Sequence, residues 1–391
     1  YKLFMIAVKK IETPIVLFGV IFTILFSYIA YSTIGLRHFL VFAIGIGLGF
    51  TLYKAAFGFT GGWRNFIEKR DSSALRAQFL MLALAAIVFS FVIGSKSFVY
   101  DGTIVGAIAP VSLSVVIGSF MFGLAMQLGG GCGSGTLFTA GSGNTKMVIT
   151  LFFFIIGSVA GTYHFTFWSS LPSLGGISLL DNYTLVETLT FQLGLITILY
   201  LIVFILDKKK NKITDHNNIF RFASSNLLRG PWPLFLGSVL LVLLNFLMLH
   251  AAGHPWSVTF SFGLWGAKLA TLIGVDVSSW DYWQLSYPAV ALENSLLADP
   301  TTVSNLGIIL GALIASALSG NFSNQIKIDK KLFLAAMIGG FFMGYGARLA
   351  FGCNIGALFS GIASGSMHGW VWFLFAFMGS YFGVKARKFF Y

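Results

Sequence analysis

The sequence predicts an all-α polytopic membrane protein built as an inverted repeat of about five spans per half, with short non-spanning helices meeting near the bilayer midplane. Three observations predict it: apolar stretches of spanning length along the whole chain, a segment written twice around the only two cysteines, and basic loops confined to alternate sides. Of the 391 residues 57% are hydrophobic and only 10% charged, and the mean hydropathy is +0.84. Such a balance excludes an ordinary water-soluble globular domain.

An apolar helix needs about 20 residues to cross the hydrocarbon. Ten stretches reach or approach that length, near 13–33, 39–58, 78–95, 106–129, 146–166, 189–206, 234–251, 304–319, 333–352 and 370–388. The first is long enough to span and lacks a small-residue cleavage site, so no cleavable signal peptide is expected. The chain opens on Tyr1 rather than Met, and residues upstream are expected.

The net charge of +12 could suggest nucleic acid, but its distribution follows the positive-inside rule. Lys2, Lys9 and Lys10 precede the first span, Arg64, Lys69, Arg70 and Arg76 follow the second, and Lys208, Lys209, Lys210, Lys212, Arg221 and Arg229 follow the sixth. Lys327, Lys330, Lys331, Lys385, Arg387 and Lys388 continue the series, whereas loops 167–187 and 276–303 carry Asp and Glu but neither Lys nor Arg. Both termini are therefore expected in the cytoplasm, and no nucleic-acid partner is expected.

The duplicated segment runs from Gly118 to Phe138 and again from Gly339 to Phe359. Without a gap it matches Cys132 with Cys353, Gly131 with Gly352, Gly135 with Gly356 and Leu137-Phe138 with Leu358-Phe359. On the charge pattern the span before Cys132 runs inward and the span before Cys353 runs outward, so the copies are inverted. The organisation expected is a first membrane repeat over 1–206, a basic cytoplasmic linker over 207–231 and a second repeat over 232–391, whose first span is 189–206. Gly58 to Phe66 falls opposite Gly253 to Lys268, which makes four non-spanning segments, two per half.

Glycines at 129–131 and 133 disfavour a continuous helix, each by roughly 1 kcal/mol relative to alanine. Irregular backbone at membrane depth is tolerated where it is buried in protein or lines a polar cavity, so two breaks related by inversion are expected to face one pathway. After Cys132 comes Gly133-Ser134, and after Cys353 comes Asn354, each able to open a short helix whose free N–H groups attract an anion and lower a thiol's pKa. Arg348 is an expensive charge inside a span, an interfacial anchor, a paired residue or an anion attractor. Gln127, its repeat partner, is a helix-to-helix hydrogen bond or a pathway donor, and His254, beside Pro255 and Trp256, is a pathway or interfacial residue. The bland readings are cysteine as a small apolar filler and glycine as a close-packing residue, the latter favoured for Gly157 and Gly161 and for Gly379 and Gly383. A disulfide is disfavoured in a reducing cytoplasm, and the histidines and cysteines show no metal-ligand spacing.

The run Gly346 to Asn354, the stretch Ser366 to Trp370, Gly131-Cys132-Gly133 and Gly253 to Thr259 resemble the YeeE/YedE family of bacterial sulfur-transport membrane proteins over about 39–388. The resemblance implies a compact inverted-repeat transporter with short helices dipping in from both faces. Its best-understood members take up thiosulfate past pore cysteines, and others are linked to selenium metabolism. Thiosulfate members carry additional pathway cysteines, whereas this chain has only two.

The function expected is thus inner-membrane import of a small sulfur-containing anion, thiosulfate first, along Cys132, Cys353, Gly131, Gly133, Ser134, Gly352, Asn354, Arg348, Gln127 and His254. The alternatives are a selenium or other sulfur species, or a sulfurtransferase forming a cysteine persulfide for a cytoplasmic TusA-like sulfur carrier. Membrane lipid is the surrounding partner, and no cofactor is expected.

Overall fold

The structure, a computed structural model, describes residues 10–95, 104–210, 218–220, 227–228, 230–322 and 328–391. Lys2, Lys9, Lys212, Arg221, Arg229, Lys327 and most of the 207–231 linker lie outside them. Helices α1 (Thr13–Thr33), α2 (Leu36–Lys54), α3 (Phe59–Lys69), α4 (Ser73–Ser95), α5 (Leu113–Gly129), α6 (Gly133–Gly141) and α7 (Thr145–Tyr163) come first. Helices α8 (Leu185–Lys210), α9 (Leu234–Ala252), α10 (Thr259–Leu272), α11 (Pro300–Leu318), α12 (Lys330–Leu349), α13 (Ser360–Ala363) and α14 (Met367–Arg387) follow. A π-helical turn, Asn354–Phe359, joins α12 to α13.

Among the described residues, nine helical stretches are long and apolar enough to cross a membrane. The protein is an all-α polytopic membrane protein. The tenth predicted span, 370–388, is α14, whose 21 residues cover about 31 Å at 1.5 Å per residue. Its glycines, His368 and Tyr381 dilute its hydropathy without shortening it.

The predicted span 106–129 begins later, at Leu113. Residues Pro110–Ser112 form a strand paired antiparallel with Ser173–Gly176, a small exception to the all-helical expectation. Pro110 lacks the N–H that a helix interior needs, and Ser112 then caps α5 by accepting the Val115 N–H at 3.2 Å. Asn144, Asp299 and Asp329 cap α7, α11 and α12 in the same way. Arg76, expected in a loop, instead lies buried in α4, its Nε donating to Ser72 Oγ at 3.1 Å and its guanidinium over the Phe204 ring.

Lipid is as apolar as leucine, so association of these helices rests on close backbone approach rather than on hydrophobic exclusion. Helix α2 packs on α11, α7 on α12, α14 on α5 and α5 on α12. Glycine makes each contact possible. A Cβ at Gly45 would lie 2.4 Å from the Ser304 oxygen, and one at Gly49 2.0 Å from the Ile308 oxygen, both on α11. The expected close-packing glycines behave so: Gly157 meets the Phe341 oxygen and Gly161 the Arg348 Cβ on α12, whereas Gly379 and Gly383 meet the Phe120 and Leu124 oxygens on α5. Both cysteine-bearing helices are thereby clamped.

Alanine normally stabilises a helix relative to glycine, but an atom forced against backbone cannot be relieved by a rotamer, and overpacking costs about 1–3 kcal/mol. Gly49→Ala is expected to lower the melting temperature of the detergent-solubilised protein. Gly194→Ala, at a site in α8 with nothing within 4 Å of the added carbon, should leave it unchanged or raised. A Gly49→Ala protein as stable as the parent would contradict the close approach of α2 and α11.

Candidate functional site

Helix α5 stops at Gly129 because Gly130 adopts φ +93° as its left-handed C-cap. The chain then turns, and Cys132 caps α6: its Sγ accepts the Gly135 N–H at 3.4 Å and lies 3.6 Å from Ser134 Oγ, while its carbonyl accepts the Thr136 hydroxyl at 2.8 Å. The second break repeats the logic with different residues. Beyond Leu349, Phe351 has φ +54° and Gly352 φ +149°, and Cys353 caps the next turn, its Sγ accepting the Ile355 N–H at 3.4 Å. The Cys353 carbonyl takes N–H groups from both Ala357 (2.9 Å) and Leu358 (3.4 Å), and this five-residue spacing makes the turn a π-helix. Turns of that kind are rare and concentrate at functional sites.

The two breaks meet. A Cβ on Gly133, the residue after Cys132, would lie 2.9 Å from Cys353 Sγ, 3.4 Å from its Cβ and 3.4 Å from Thr259 Cγ2. Only hydrogen fits there. A Cβ on Gly356 would lie 3.6 Å from Ser257 Oγ, so the segment opening α10 forms a third wall. Cys132 is 1% exposed and Cys353 0%, and both are free thiols. Ser134 is buried beside them.

That third wall is tied from three sides. Asn245 Oδ1 accepts the Trp256 N–H at 2.7 Å, and Ser360 Oγ donates to the Trp256 carbonyl at 2.7 Å. Asn305 Nδ2 donates to the Val258 carbonyl at 2.9 Å and to Ser261 Oγ at 2.6 Å. Backbone that leaves a helix inside the protein is thus satisfied by side chains.

Asn354, directly after Cys353, is fully buried and has its whole side-chain amide, Nδ2 and Oδ1, unpaired, whereas Asn305 Oδ1 and Trp256 Nε1 at the wall are single unpartnered atoms among the described residues. An unsatisfied buried polar group costs about 1–3 kcal/mol, and such a group in a folded protein calls for an explanation.

The other expected pathway residues are spread more widely. Gly131 and Gly352 pack over the starts of their own short helices, against Thr136 N and Ala357 N respectively. Gln127 ties α5 to α3 and α14, its Nε2 donating to the Thr60 carbonyl at 3.2 Å and reaching Ser380 Oγ at 3.5 Å. It is a helix-to-helix hydrogen bond, with Oε1 left unpartnered among the described residues. The Arg348 guanidinium lies over the Tyr282 ring and donates to its hydroxyl. It lines a cleft of about 80 Å³ with Ser112, Ser114 and Trp168, and neither cysteine lines that cleft. His254 is half-buried at the start of the third wall, its Nδ1 2.9 Å from the Pro255 carbonyl. Burial holds its pKa below the ordinary histidine value.

Sequence reading passed over Ser257 and Thr259 as individuals, because a short hydroxyl-bearing segment shows no period that says which residue faces a distant cysteine. It also passed over two buried cations. Lys54 Nζ donates to Ser319 Oγ at 2.7 Å, and Lys146 Nζ lies 4.4 Å from the Tyr391 ring centre.

Two interrupted helices whose cysteine caps meet in the interior mark a multi-pass membrane protein of the kind that holds a solute on irregular backbone. Residues 54–382 match the sulphur transport family, and the chain belongs to it. It is similar to the thiosulfate transporter TsuA of Escherichia coli K12, 24% identical over 352 residues that cover 86% of this chain and 90% of that one. It is similar also to TsuA of Spirochaeta thermophila, 26% identical over 353 residues covering 86% and 95%. The probable transporter YedE of Escherichia coli K12 is 35% identical over 133 residues, 34% of this chain and 32% of that protein, so the match spans about a third of that relative's length.

Burial of both thiols gives a direct test. A membrane-impermeant maleimide should label neither Cys132 nor Cys353 rapidly in the native protein and should label both after denaturation. Rapid native labelling of either would contradict a closed junction.

Proposed function

We propose that the protein carries thiosulfate across the bacterial inner membrane into the cell, along a path between Cys132 and Cys353. The observation that carries this reading is the contact of Cys353 Sγ with the Gly133 position directly after Cys132, at the meeting of two helix breaks. The names of the full-length relatives point to the same ion. In this reading helix N-termini replace hydration of the anion's oxygens and each thiol offers a passing S–H contact to the terminal sulfur. These contacts are weak and successive, since a deep binding well would stop release.

The order long helix, short helix, long helix, broken helix occurs twice, in α2 to α7 and in α9 to α14. Together with the alternation of basic and acidic loops, it supports the inverted repeat over 1–206 and 232–391, joined by a cytoplasmic linker over 207–231, with both termini in the cytoplasm. Arg348, in its separate cleft, attracts the anion before it reaches the thiols. Complete burial of both sulfurs favours passage of the intact ion over a persulfide enzyme, because hand-off to a TusA-like carrier needs a sulfur that a second protein can reach. A selenium-containing analogue of the ion would fit the same contacts.

Vesicles reconstituted with the protein are expected to accumulate labelled thiosulfate in preference to sulfate, sulfite and selenite. Preference for sulfate, which has no terminal sulfur, would defeat the thiol role. Cys132→Ala and Cys353→Ala should each cut uptake strongly with unchanged thermal stability, and the double variant should be little worse than either, because residues acting as a unit are non-additive. Normal uptake in the alanine variants would refute the reading.

Arg348→Gln is expected to weaken uptake more than Arg348→Lys, since lysine keeps the charge although not the forked donor. Equal losses in both would assign the residue to packing against Gly161 and Tyr282 instead.

A further inference from the structure

The cysteines account for recognition of one end of the ion only. Thiosulfate carries most of its hydrogen-bonding capacity on three oxygens, and a thiol is a weak donor. Something else at the junction must read those oxygens if the ion is to be held in a defined orientation. Three polar side chains stand where that could happen. Asn354 follows Cys353 directly and has both amide atoms buried and unpartnered among the described residues. Thr259 approaches the same Gly133 position that Cys353 does, with its methyl carbon Cγ2 at 3.4 Å and its hydroxyl on the same Cβ, and Ser257 Oγ stands 3.6 Å from the Gly356 position, one turn beyond Cys353. Thr259 is 2% exposed, and Ser257 and Gly356 are only partly buried, so the wall opens from Thr259 toward Ser257.

We infer that Asn354, Thr259 and Ser257 form an oxygen-reading face of the junction beside the two thiols, so that an oxyanion bearing one terminal sulfur is recognised through its oxygens as well as its sulfur. This rests on the thiosulfate reading and names the residues that give it specificity beyond the cysteines. The orphaned amide is central. A buried asparagine with no partner among the described residues costs stability, and it is explained by an acceptor that arrives with the solute. Its NH₂ group and the two hydroxyls can donate to the ion's oxygens, and the hydrogen bonds that tie Trp256 to Asn245 and Ser360 and Val258 to Asn305 hold the hydroxyl-bearing wall in place. Donors fixed in advance lose little freedom on binding.

The inference separates function from stability at single residues. Asn354→Leu removes the orphan and puts an apolar side chain of similar size in its place, so the melting temperature of the detergent-solubilised protein should hold or rise while the apparent KM for thiosulfate rises about tenfold or more, the effect of losing a hydrogen bond to a charged group. Thr259→Val, which keeps shape and loses the hydroxyl, should raise KM similarly, and Thr259→Ser should restore it to within about threefold. Thiosulfate should raise the melting temperature of the wild-type protein by mass action, and Asn354→Leu and Thr259→Val should diminish that rise.

The ligand-induced shift does not depend on transport. If wild-type vesicles fail to take up thiosulfate but the shift is present and lost in the two variants, the transport reading fails and the oxygen-reading face stands. If wild-type uptake is normal and both variants match it in KM and in ligand-induced shift, the face is overturned and the transport reading stands. A lowered melting temperature in Asn354→Leu without added ligand would also overturn it, by giving the amide a structural role.

Discussion

Every peptide group in a membrane interior must find a partner within the protein, since hydrocarbon supplies none, and the rest of this structure depends on how that demand is met at two helix breaks. At Gly130 and again at Phe351-Gly352 the chain abandons helical bonding. The cost is offset locally: Cys132 and Cys353 cap the helices that follow, and two asparagines and a serine from α9, α11 and α13 satisfy the third segment. Breaks that were merely irregular would be unstable. Breaks whose free N–H groups and capping sulfurs converge form a polar spot inside an apolar bundle.

Convergence requires that the helices carrying the breaks be held rigidly, and small residues do this. Helix α7 grips α12 through Gly157, Gly161 and Gly344, and α14 grips α5 through Gly123, Gly379 and Gly383. All of these contacts meet backbone except that of Gly161, which meets the Arg348 side chain. Such packing tolerates almost no adjustment, so the separation of Cys353 from Gly133 is set by glycines well outside the site. Bulk anywhere along these interfaces would shift the junction.

The most consequential asymmetry lies between two otherwise matching breaks. Cys132 is followed by Gly133 and an α-helix, whereas Cys353 is followed by Asn354 and a π-turn. Glycine leaves space and asparagine brings a buried amide with no partner among the described residues. The duplicated cysteine segment is thus chemically unequal at the residue that follows each cysteine.

Composition, apolar spacing and the duplicated cysteine segment by themselves determined the polytopic class, the two breaks and the short helices beside them, because each depends on local properties: hydrophobic length, glycine content and cap chemistry. Close packing by Gly157 and Gly379 was legible too, since small residues four apart share a helix face. What the linear pattern left open was decided by tertiary structure. That Thr259 and Ser257, more than ninety residues from either cysteine, belong at the junction follows from how α10 is tied to α9 and α11. That Gln127 bonds across to Thr60, and that Arg348 leans on Tyr282 rather than toward the thiols, follows from which helix faces meet. A sequence records which side chains carry chemistry, but distances between them across a membrane bundle arise only when glycine-lined helices come into contact.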